Sequence, residues 1–273
     1  MECRLERITV HYEEIGEGRP LVIVPGWPDE WRVPADYLEP VFEDRTGWRR
    51  IYLDLPGRGQ TRGEPWITTN DQVLAIVLDV LDRVIGSARF AIAGHSAGAY
   101  LARGVLHERP DRVDGLLQVV PELDRGDREA PAHTALVSEP GVVERVGVEL
   151  GRDFADAFAG FYVVQSSEVY ERIKPLWPMV RTADGVFLDR LESTLSLEVD
   201  PPAVPFDGPS LFLIGRQDSV VGYQAPFDVA EAYPRATIAI LDRAGHGLPW
   251  EQDGLTRALI GDWLDRVESV LRP

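Results

Sequence analysis

The residues best placed for chemistry in this 273-residue chain include a serine at a sharp turn. Ser96 lies in Gly94–Gly98, which reads Gly-His-Ser-Ala-Gly between the apolar run 89–93 and a helix-like stretch. A Gly-x-Ser-x-Gly nucleophile elbow requires this order of strand, turn and helix. Such a turn pushes the hydroxyl above the sheet, and the flanking glycines leave room where a Cβ would clash. The pattern predicts a nucleophilic serine.

An acid and a base follow two later apolar runs. Asp218 ends the turn Gly-Arg-Gln-Asp after residues 211–214, and His246 lies between two glycines after residues 237–241. An imidazole near Ser96 could take its proton, and a carboxylate could orient that imidazole. We therefore predict a catalytic set of Ser96, His246 and Asp218.

The other histidines lack this setting. His95 adjoins Ser96 in sequence, but neighbours on a turn point away from one another, so it is only the second candidate for the base. His11, His107 and His133 are predicted to be structural or solvated.

Two backbone donors are predicted to complete the site. Pro25–Pro28, with the sequence Pro-Gly-Trp-Pro, directly follows the apolar run 21–24. A loop here can aim the N–H of Trp27 into the site, where it would act with the N–H of Ala97 as an oxyanion hole. For the Trp27 side chain, a packing role is an equal alternative.

The elements that must position these residues are short apolar runs that alternate with amphipathic stretches. Helices are predicted over 73–84, with Thr69 or Asn70 as the cap, over 97–108 and over 253–271. Strands that alternate with helices predict an α/β fold, with a mostly parallel sheet covered on both faces. The predicted strands are 21–24, 51–55, 89–93, 116–120, 211–214 and 237–241.

The alternation is interrupted between residues 122 and 206, so we predict a core of 1–121 and 207–273 with a helical insertion over 122–206. Aromatic residues on helix-like segments of the insertion are expected to form a small core, with some of them facing a pocket above the sheet. The candidate substrate-binding residues are Trp27, Tyr100, Phe161, Tyr162, Trp177 and Met179.

Composition excludes several classes of partner. The chain has 28 basic and 45 acidic side chains, a net charge of −17, which disfavours nucleic acid and anionic membranes. Its one cysteine requires no oxidising compartment, and no signal peptide or membrane-spanning run is apparent, so we expect a cytoplasmic protein. Neither a metal nor a cofactor signature occurs in its required setting. The expected partner is a small-molecule substrate, and the oligomeric state is not predicted.

Taken together, these residues resemble the α/β-hydrolase family over nearly the whole chain. The order Ser96, Asp218, His246 is similar to that of the family's nucleophile, acid and base. Residues 54–61 resemble the family's Asp-x-x-Gly-x-Gly-x-Ser loop with threonine in place of the last serine, and Pro249 and Glu251 follow the histidine as they do in the family. The chain departs from the family where Pro25-Gly26 replaces the frequent His-Gly. By this resemblance the insertion is a cap.

The resemblance implies acyl transfer, because related epoxide hydrolases and dehalogenases have an aspartate where this chain has Ser96. Glu122 or Asp124 is the rival acid, since both follow the predicted strand 116–120 and some members of the family place the acid there. Three alternatives to an esterase-like hydrolase stay open: a carbon–carbon bond hydrolase, a cofactor-free lyase and a ligand-binding protein that keeps the triad. Hydroxynitrile lyases of the family use a lysine, and Lys174 is the one lysine of this chain.

Overall fold

The computed structural model describes residues 1–123, 130–192, 197 and 205–270, and within them an eight-stranded sheet organises the chain. The strands are β1 Glu2–Arg4, β2 Thr9–Ile15, β3 Arg19–Val24, β4 Trp48–Leu53, β5 Phe90–His95, β6 Val113–Val119, β7 Val137–Ser138, β8 Val164–Gln165, β9 Ser210–Gly215 and β10 Ala236–Leu241. The α-helices are α1 Arg32–Leu38, α2 Asn70–Val84, α3 Ala97–Glu108, α4 Val142–Leu150, α5 Arg152–Phe161, α6 Ser167–Ile173, α7 Trp177–Val180, α8 Gly185–Glu192, α9 Ala225–Val229, α10 Leu248–Glu251 and α11 Asp253–Val270.

The sheet is mostly parallel, as predicted. Its strand order is β1-β2-β4-β3-β5-β6-β9-β10, and only the pairs β1–β2 and β2–β4 are antiparallel among its described strands. The carboxyl ends of β3, β5, β9 and β10 therefore lie on one edge of the sheet. The loops that carry Trp27, Ser96, Asp218 and His246 all leave from that edge.

Both faces of the sheet are covered because alternate strand residues point to opposite sides. In β3, Val22 and Val24 pack with α2 and α3, whereas Leu21 and Ile23 pack with α1 and α11. Each of these four side chains is at most 1% exposed, and full burial of such a side chain contributes about 1.5 to 3 kcal/mol. A strand buried on both faces reads as an uninterrupted apolar run, which is why β3 was visible in the sequence.

Local sequence signals set the helix boundaries close to the predicted positions. Thr69 caps α2 through a capping box, in which its hydroxyl accepts from the N–H of Gln72 and the Gln72 side chain accepts from the N–H of Thr69. Asn70, the alternative cap, is instead the first residue of the helix. Replacement of such a cap by alanine typically costs about 1 kcal/mol.

The chain between β6 and β9 contains α4–α8 and the two-residue strands β7 and β8, which pair in parallel. The sequence did not predict β7 and β8, because two residues are too few to show a period of two. Phe154, Phe158 and Tyr170 are buried here and belong to the same apolar cluster as α1 and α11. Phe187 instead packs against Gly57 and Gly63 on the other side of the sheet. Among the described residues, no helix is long and apolar enough to cross a membrane.

Candidate active site

Ser96 occupies a strained turn between β5 and α3. Its φ of 52° and ψ of −122° lie in a region that residues with a side chain rarely adopt, at a typical cost of about 1 to 3 kcal/mol. A Cβ built on Gly94 would lie 2.4 Å from Ala99 Cα, and one on Gly98 would lie 2.3 Å from Val24 O. The turn thus brings β5, α3 and β3 closer together than larger residues at positions 94 and 98 would permit.

A continuous hydrogen-bond chain links Ser96 to the two residues predicted to act with it. Ser96 Oγ lies 2.8 Å from His246 Nε2, and His246 Nδ1 lies 2.8 Å from Asp218 Oδ2. All three side chains are buried, and the other carboxylate oxygen of Asp218 accepts from the N–H groups of Val220 and Val221. With a carboxylate on Nδ1, the imidazole carries its proton there and presents a free Nε2 to the serine hydroxyl.

The electrostatic surroundings favour a basic His246. Burial lowers the pKa of this imidazole. The charge and hydrogen bond of Asp218, with smaller contributions from the carboxylates of Asp29 and Glu122, raise the pKa by more than burial lowers it. The net shift is upward from the ordinary value of 6.5. A positive charge that develops on His246 is therefore stabilised, as a general base requires.

Within the described residues, neither of the two predicted backbone donors has a hydrogen-bond acceptor. Ala97 is the first residue of α3, so its N–H has no acceptor within the helix. Within the described part of the chain, no carbonyl accepts from the N–H of Trp27. The loop that carries Trp27 adjoins the turn of Ser96, since a Cβ on Gly26 would lie 3.2 Å from the Cβ of Ser96.

The loop of residues 54–61 braces this donor loop. The guanidinium of Arg58 is buried, donates a hydrogen bond of 3.1 Å to the carbonyl of Gly26 and lies 4.7 Å from the ring centre of Trp27. Burial lowers the pKa of Arg58 to about 10, so the group stays charged at neutral pH. The sequence showed the loop but not this contact, which depends on how two separate loops meet.

A cavity of about 450 Å³ opens onto Ser96 and His246. Four of the six predicted pocket residues line it: Trp27, Phe161, Tyr162 and Trp177. Its wall is otherwise mostly apolar and comes from the Trp27 loop and from α5, α6, α7 and α10. Phe161 meets the ring of His246 edge-on at 5.6 Å, so the insertion contacts the catalytic candidate directly.

Tyr100 and Met179, the other two candidates, are not among the described residues that line this cavity. The hydroxyl of Tyr100 accepts from the N–H of Leu197, so this side chain is directed at the segment that follows α8. Met179 lies two positions from Trp177 on α7, and residues two apart on a helix point in nearly opposite directions. Its side chain is half-buried against the apolar cluster beside the sheet.

Two polar residues of the cavity were missed or placed second by sequence reasoning. Asp29 lines the cavity, and burial raises the pKa of its carboxyl group to about 6 although the charge of Arg58 lowers it. His95 also lines the cavity and is 4% exposed. Burial, with the nearby His246, lowers the pKa of His95 to about 3, so its ring is neutral. Only the position of Asp29 two residues after Trp27 could have indicated its place.

The other candidate acids and the structural histidine His11 make different contacts. His11 forms a hydrogen bond of 2.8 Å to the buried Asp54, a structural contact. Glu122 donates its backbone N–H to the carbonyl of Ser96 at 3.3 Å, whereas Asp218 holds Nδ1 of the histidine. Asp124 lies outside the described residues. In the described ranges, no group of three or more His, Cys, Asp or Glu side chains could hold a metal ion.

Glu251 ties the histidine loop to the insertion. One carboxylate oxygen accepts from the N–H groups of Val163 and Val164 at 2.5 and 3.0 Å, and the other accepts from that of Gly245 at 2.6 Å. Burial raises the pKa of Glu251 more than these donors lower it. The side chain therefore links this junction through three hydrogen bonds that it accepts from backbone N–H groups.

Replacement of Glu251 by glutamine should lower the free energy of unfolding by about 1 to 3 kcal/mol, because the new amide group turns a donor toward a buried N–H. Urea unfolding, followed by tryptophan fluorescence, would measure the change. The exposed Glu43 provides the matched control, since Glu43→Gln alters charge equally without touching this junction. Equal unfolding midpoints for the two variants would contradict the role assigned to Glu251.

Proteins of known family and structure share the fold of this chain. Residues 19–253 match the model of a family described as alpha/beta hydrolase fold. The structure is similar to that of an alpha/beta superfamily hydrolase from Oenococcus oeni PSU-1, with a TM-score of 0.86, 24% identity, and coverage of 98% of this chain and 99% of that one. The fold is thereby shown.

Relatives of known name are distant. A pimeloyl-acyl-carrier protein methyl ester esterase from Legionella pneumophila (strain Corby) is 25% identical over 88% of this chain and 92% of its own length. A Pseudomonas putida protein named 2-hydroxy-6-oxononadienedioate/2-hydroxy-6-oxononatrienedioate hydrolase 2 is 23% identical, with 94% of this chain and 92% of that protein covered. Both names describe hydrolases, and they differ in substrate.

Proposed function

The chain belongs to the alpha/beta hydrolase family, and on this premise we propose that it is a serine hydrolase that acts by acyl transfer. The observation that carries the proposal is the chain of hydrogen bonds from Ser96 through His246 to Asp218. It unites a serine at a strained turn, a base with a raised pKa and a buried acid. The esterase among the relatives supports the same reaction class.

In the proposed reaction, Ser96 Oγ attacks the carbonyl carbon of the substrate and its proton passes to His246 Nε2. The N–H groups of Trp27 and Ala97 would stabilise the negative charge on the carbonyl oxygen. His246 then returns the proton to the leaving group as the bond to it breaks. A water molecule gives a proton to the same imidazole and attacks the acyl carbon; the bond from that carbon to Ser96 Oγ breaks, Oγ takes the proton back from His246, and the acid is released. Asp218 stays ionised throughout and stabilises the imidazolium.

The proposed substrate is a small to medium-sized, largely apolar ester, lactone or thioester. A volume of about 450 Å³ and a wall of mainly aromatic and aliphatic side chains support this class. We also propose that residues 122–206 act as the cap of the site, since Phe161, Tyr162 and Trp177 from this stretch line the cavity. No cofactor is needed for this chemistry.

Carbon–carbon bond hydrolysis is the second candidate, favoured by the Pseudomonas putida relative. Lyase chemistry finds less support. The ammonium of Lys174 pairs with Glu149, and Lys174 is not among the described residues that line the cavity. A protein that only binds its ligand would keep the same geometry, so the test must measure turnover.

The proposal is tested by comparing two rates: the hydrolysis of p-nitrophenyl esters with two to eight acyl carbons, and the carbon–carbon bond cleavage of a 2-hydroxy-6-oxo-dienoate. We expect the esters to be hydrolysed, with a preference for chain lengths that fit the cavity. Faster cleavage of the carbon–carbon bond would transfer the proposal to the second candidate. Failure of a fluorophosphonate to label the folded protein, together with absence of turnover, would favour a binding protein.

A further inference from the structure

Two polar side chains that lack a hydrogen-bond partner among the described residues face the mostly apolar cavity. Neither ring nitrogen of His95 has a partner among the described residues, although the residue is only 4% exposed. Its ring is held by aromatic neighbours, edge-on to Tyr37 at 5.7 Å and 6.2 Å from the ring of Trp250. Buried polar groups are nearly always paired, so one that lines a cavity and lacks a partner indicates a place for a ligand.

The second group is the carboxylate of Asp29, whose side chain is 14% exposed. Its Oδ2 lies 3.6 Å from Nδ1 of His95, too far for a hydrogen bond, and no described residue donates a hydrogen bond to it. The charge of Arg58 lowers the pKa of Asp29, but Nη1 of Arg58 donates its hydrogen bond to the carbonyl of Gly26. Asp29 thus presents acceptor oxygens to the cavity.

Both groups lie beside the reacting centre. A methyl group built on Gly26 would lie 2.9 Å from Asp29 Oδ2 and 3.2 Å from the Cβ of Ser96, so the carboxylate and the serine flank the same point. The ring of His95 stacks on that of His246 with 6.1 Å between their centres. A substrate group held here would be only a few bonds from the carbonyl that Ser96 attacks.

We propose that Asp29 and His95 form a polar subsite for a hydrogen-bond donor, a hydroxyl or an ammonium group, that the substrate carries close to its scissile carbonyl. The inference deepens the proposed serine hydrolase and rests on it. A neutral imidazole offers one acceptor and one donor, and an ionised carboxylate offers acceptors only. A substrate carboxylate at the same place would be repelled by Asp29.

The experiment compares kcat/KM for matched esters. Methyl 3-hydroxybutanoate and methyl 3-aminobutanoate carry the donor on the acyl side, 2-hydroxyethyl butanoate carries it on the alcohol side, and monomethyl succinate carries a carboxylate. Methyl butanoate and ethyl butanoate are the references. We expect kcat/KM for at least one donor-bearing ester to exceed that of its reference by about tenfold, because only the donor-bearing ester can form a hydrogen bond to the charged group of Asp29. We expect kcat/KM for monomethyl succinate to be lower than that for methyl butanoate.

Asp29→Asn preserves size, His95→Phe keeps an aromatic ring without nitrogen atoms, and the two variants test the assignment. Both should reduce the preference for the donor-bearing ester to within about threefold of its reference. The rates are measured on the alkaline plateau of the pH profile, where His246 is neutral in every variant. An indirect effect of the substitution on His246 would lower kcat/KM for both esters equally and leave the ratio of the two kcat/KM values unchanged. An unchanged ratio in both variants, or no donor preference in the native protein, would overturn the subsite.

Failure of the subsite is distinguishable from failure of the hydrolase. Hydrolysis of methyl butanoate reports the proposed function alone. Binding to Ser96→Ala, measured by calorimetry, reports the subsite alone. Tighter binding of a donor-bearing ester than of its reference by Ser96→Ala, without turnover of any ester by the native protein, would support the subsite and reject the hydrolase. Equal binding of the two would reject the subsite.

Discussion

Replacement of Ser96 by alanine should reduce kcat for p-nitrophenyl butanoate by about 10⁶-fold while the protein stays folded. The change removes the nucleophilic oxygen and its hydrogen bond to His246 Nε2. It leaves the Cβ in place, so the strain of the positive φ is the same in both proteins. Loss of one hydrogen bond should change the free energy of unfolding by about 1 kcal/mol. Stopped-flow kinetics and urea unfolding measure the two quantities.

The matched control is Ser138→Ala, because Ser138 is exposed in β7 and far along the chain from the elbow. It should hydrolyse the ester at the native rate. Retention of more than a hundredth of native turnover by Ser96→Ala would contradict a nucleophilic role. Native protein treated with a fluorophosphonate should gain the mass of one phosphonyl group on Ser96, and the alanine variant should gain none.

The elements around Ser96 were predictable because their signals are local. Helix α3 runs over Ala97–Glu108, the predicted bounds, since a glycine-flanked turn ends the strand before it. Ser96 and His246 are separated by 150 positions along the chain, yet one rule brings them together. Parallel strands end on a common edge of the sheet, so residues that follow different strands become neighbours.

The cavity wall was less predictable because it depends on the direction of side chains on short, irregularly packed segments. Tyr100 and Met179 were chosen for their residue types, but the contact with Leu197 and the geometry of a four-residue helix direct them elsewhere. His95 was ranked low because it adjoins the nucleophile in sequence. It nevertheless reaches the cavity, since the turn at Ser96 places its ring against Tyr37 and His246.

Replacement of Asp218 by asparagine should lower kcat by about 10⁴-fold, because the amide no longer holds the imidazole in its reactive tautomer or stabilises its charge. Asparagine has nearly the same shape, and its oxygen can still accept from the N–H groups of Val220 and Val221, as Oδ1 does now. The loop after β9 should therefore remain in place. Ester hydrolysis at saturating substrate measures the loss, and near-ultraviolet circular dichroism checks the fold.

Glu122→Gln separates the two candidate acids and supplies the control. The charges of Asp218 and Glu122 both raise the pKa of His246, and the base must be neutral, so activity is lost as the pH falls through that pKa. Removal of either charge should lower the pKa and move the acid limb of the kcat/KM profile to lower pH, further for Asp218→Asn than for Glu122→Gln. On the alkaline plateau, Glu122→Gln should keep kcat within about threefold of native. A large loss of kcat in Glu122→Gln, with kcat of Asp218→Asn close to native, would instead make Glu122 the catalytic acid and Asp218 a structural partner of the loop.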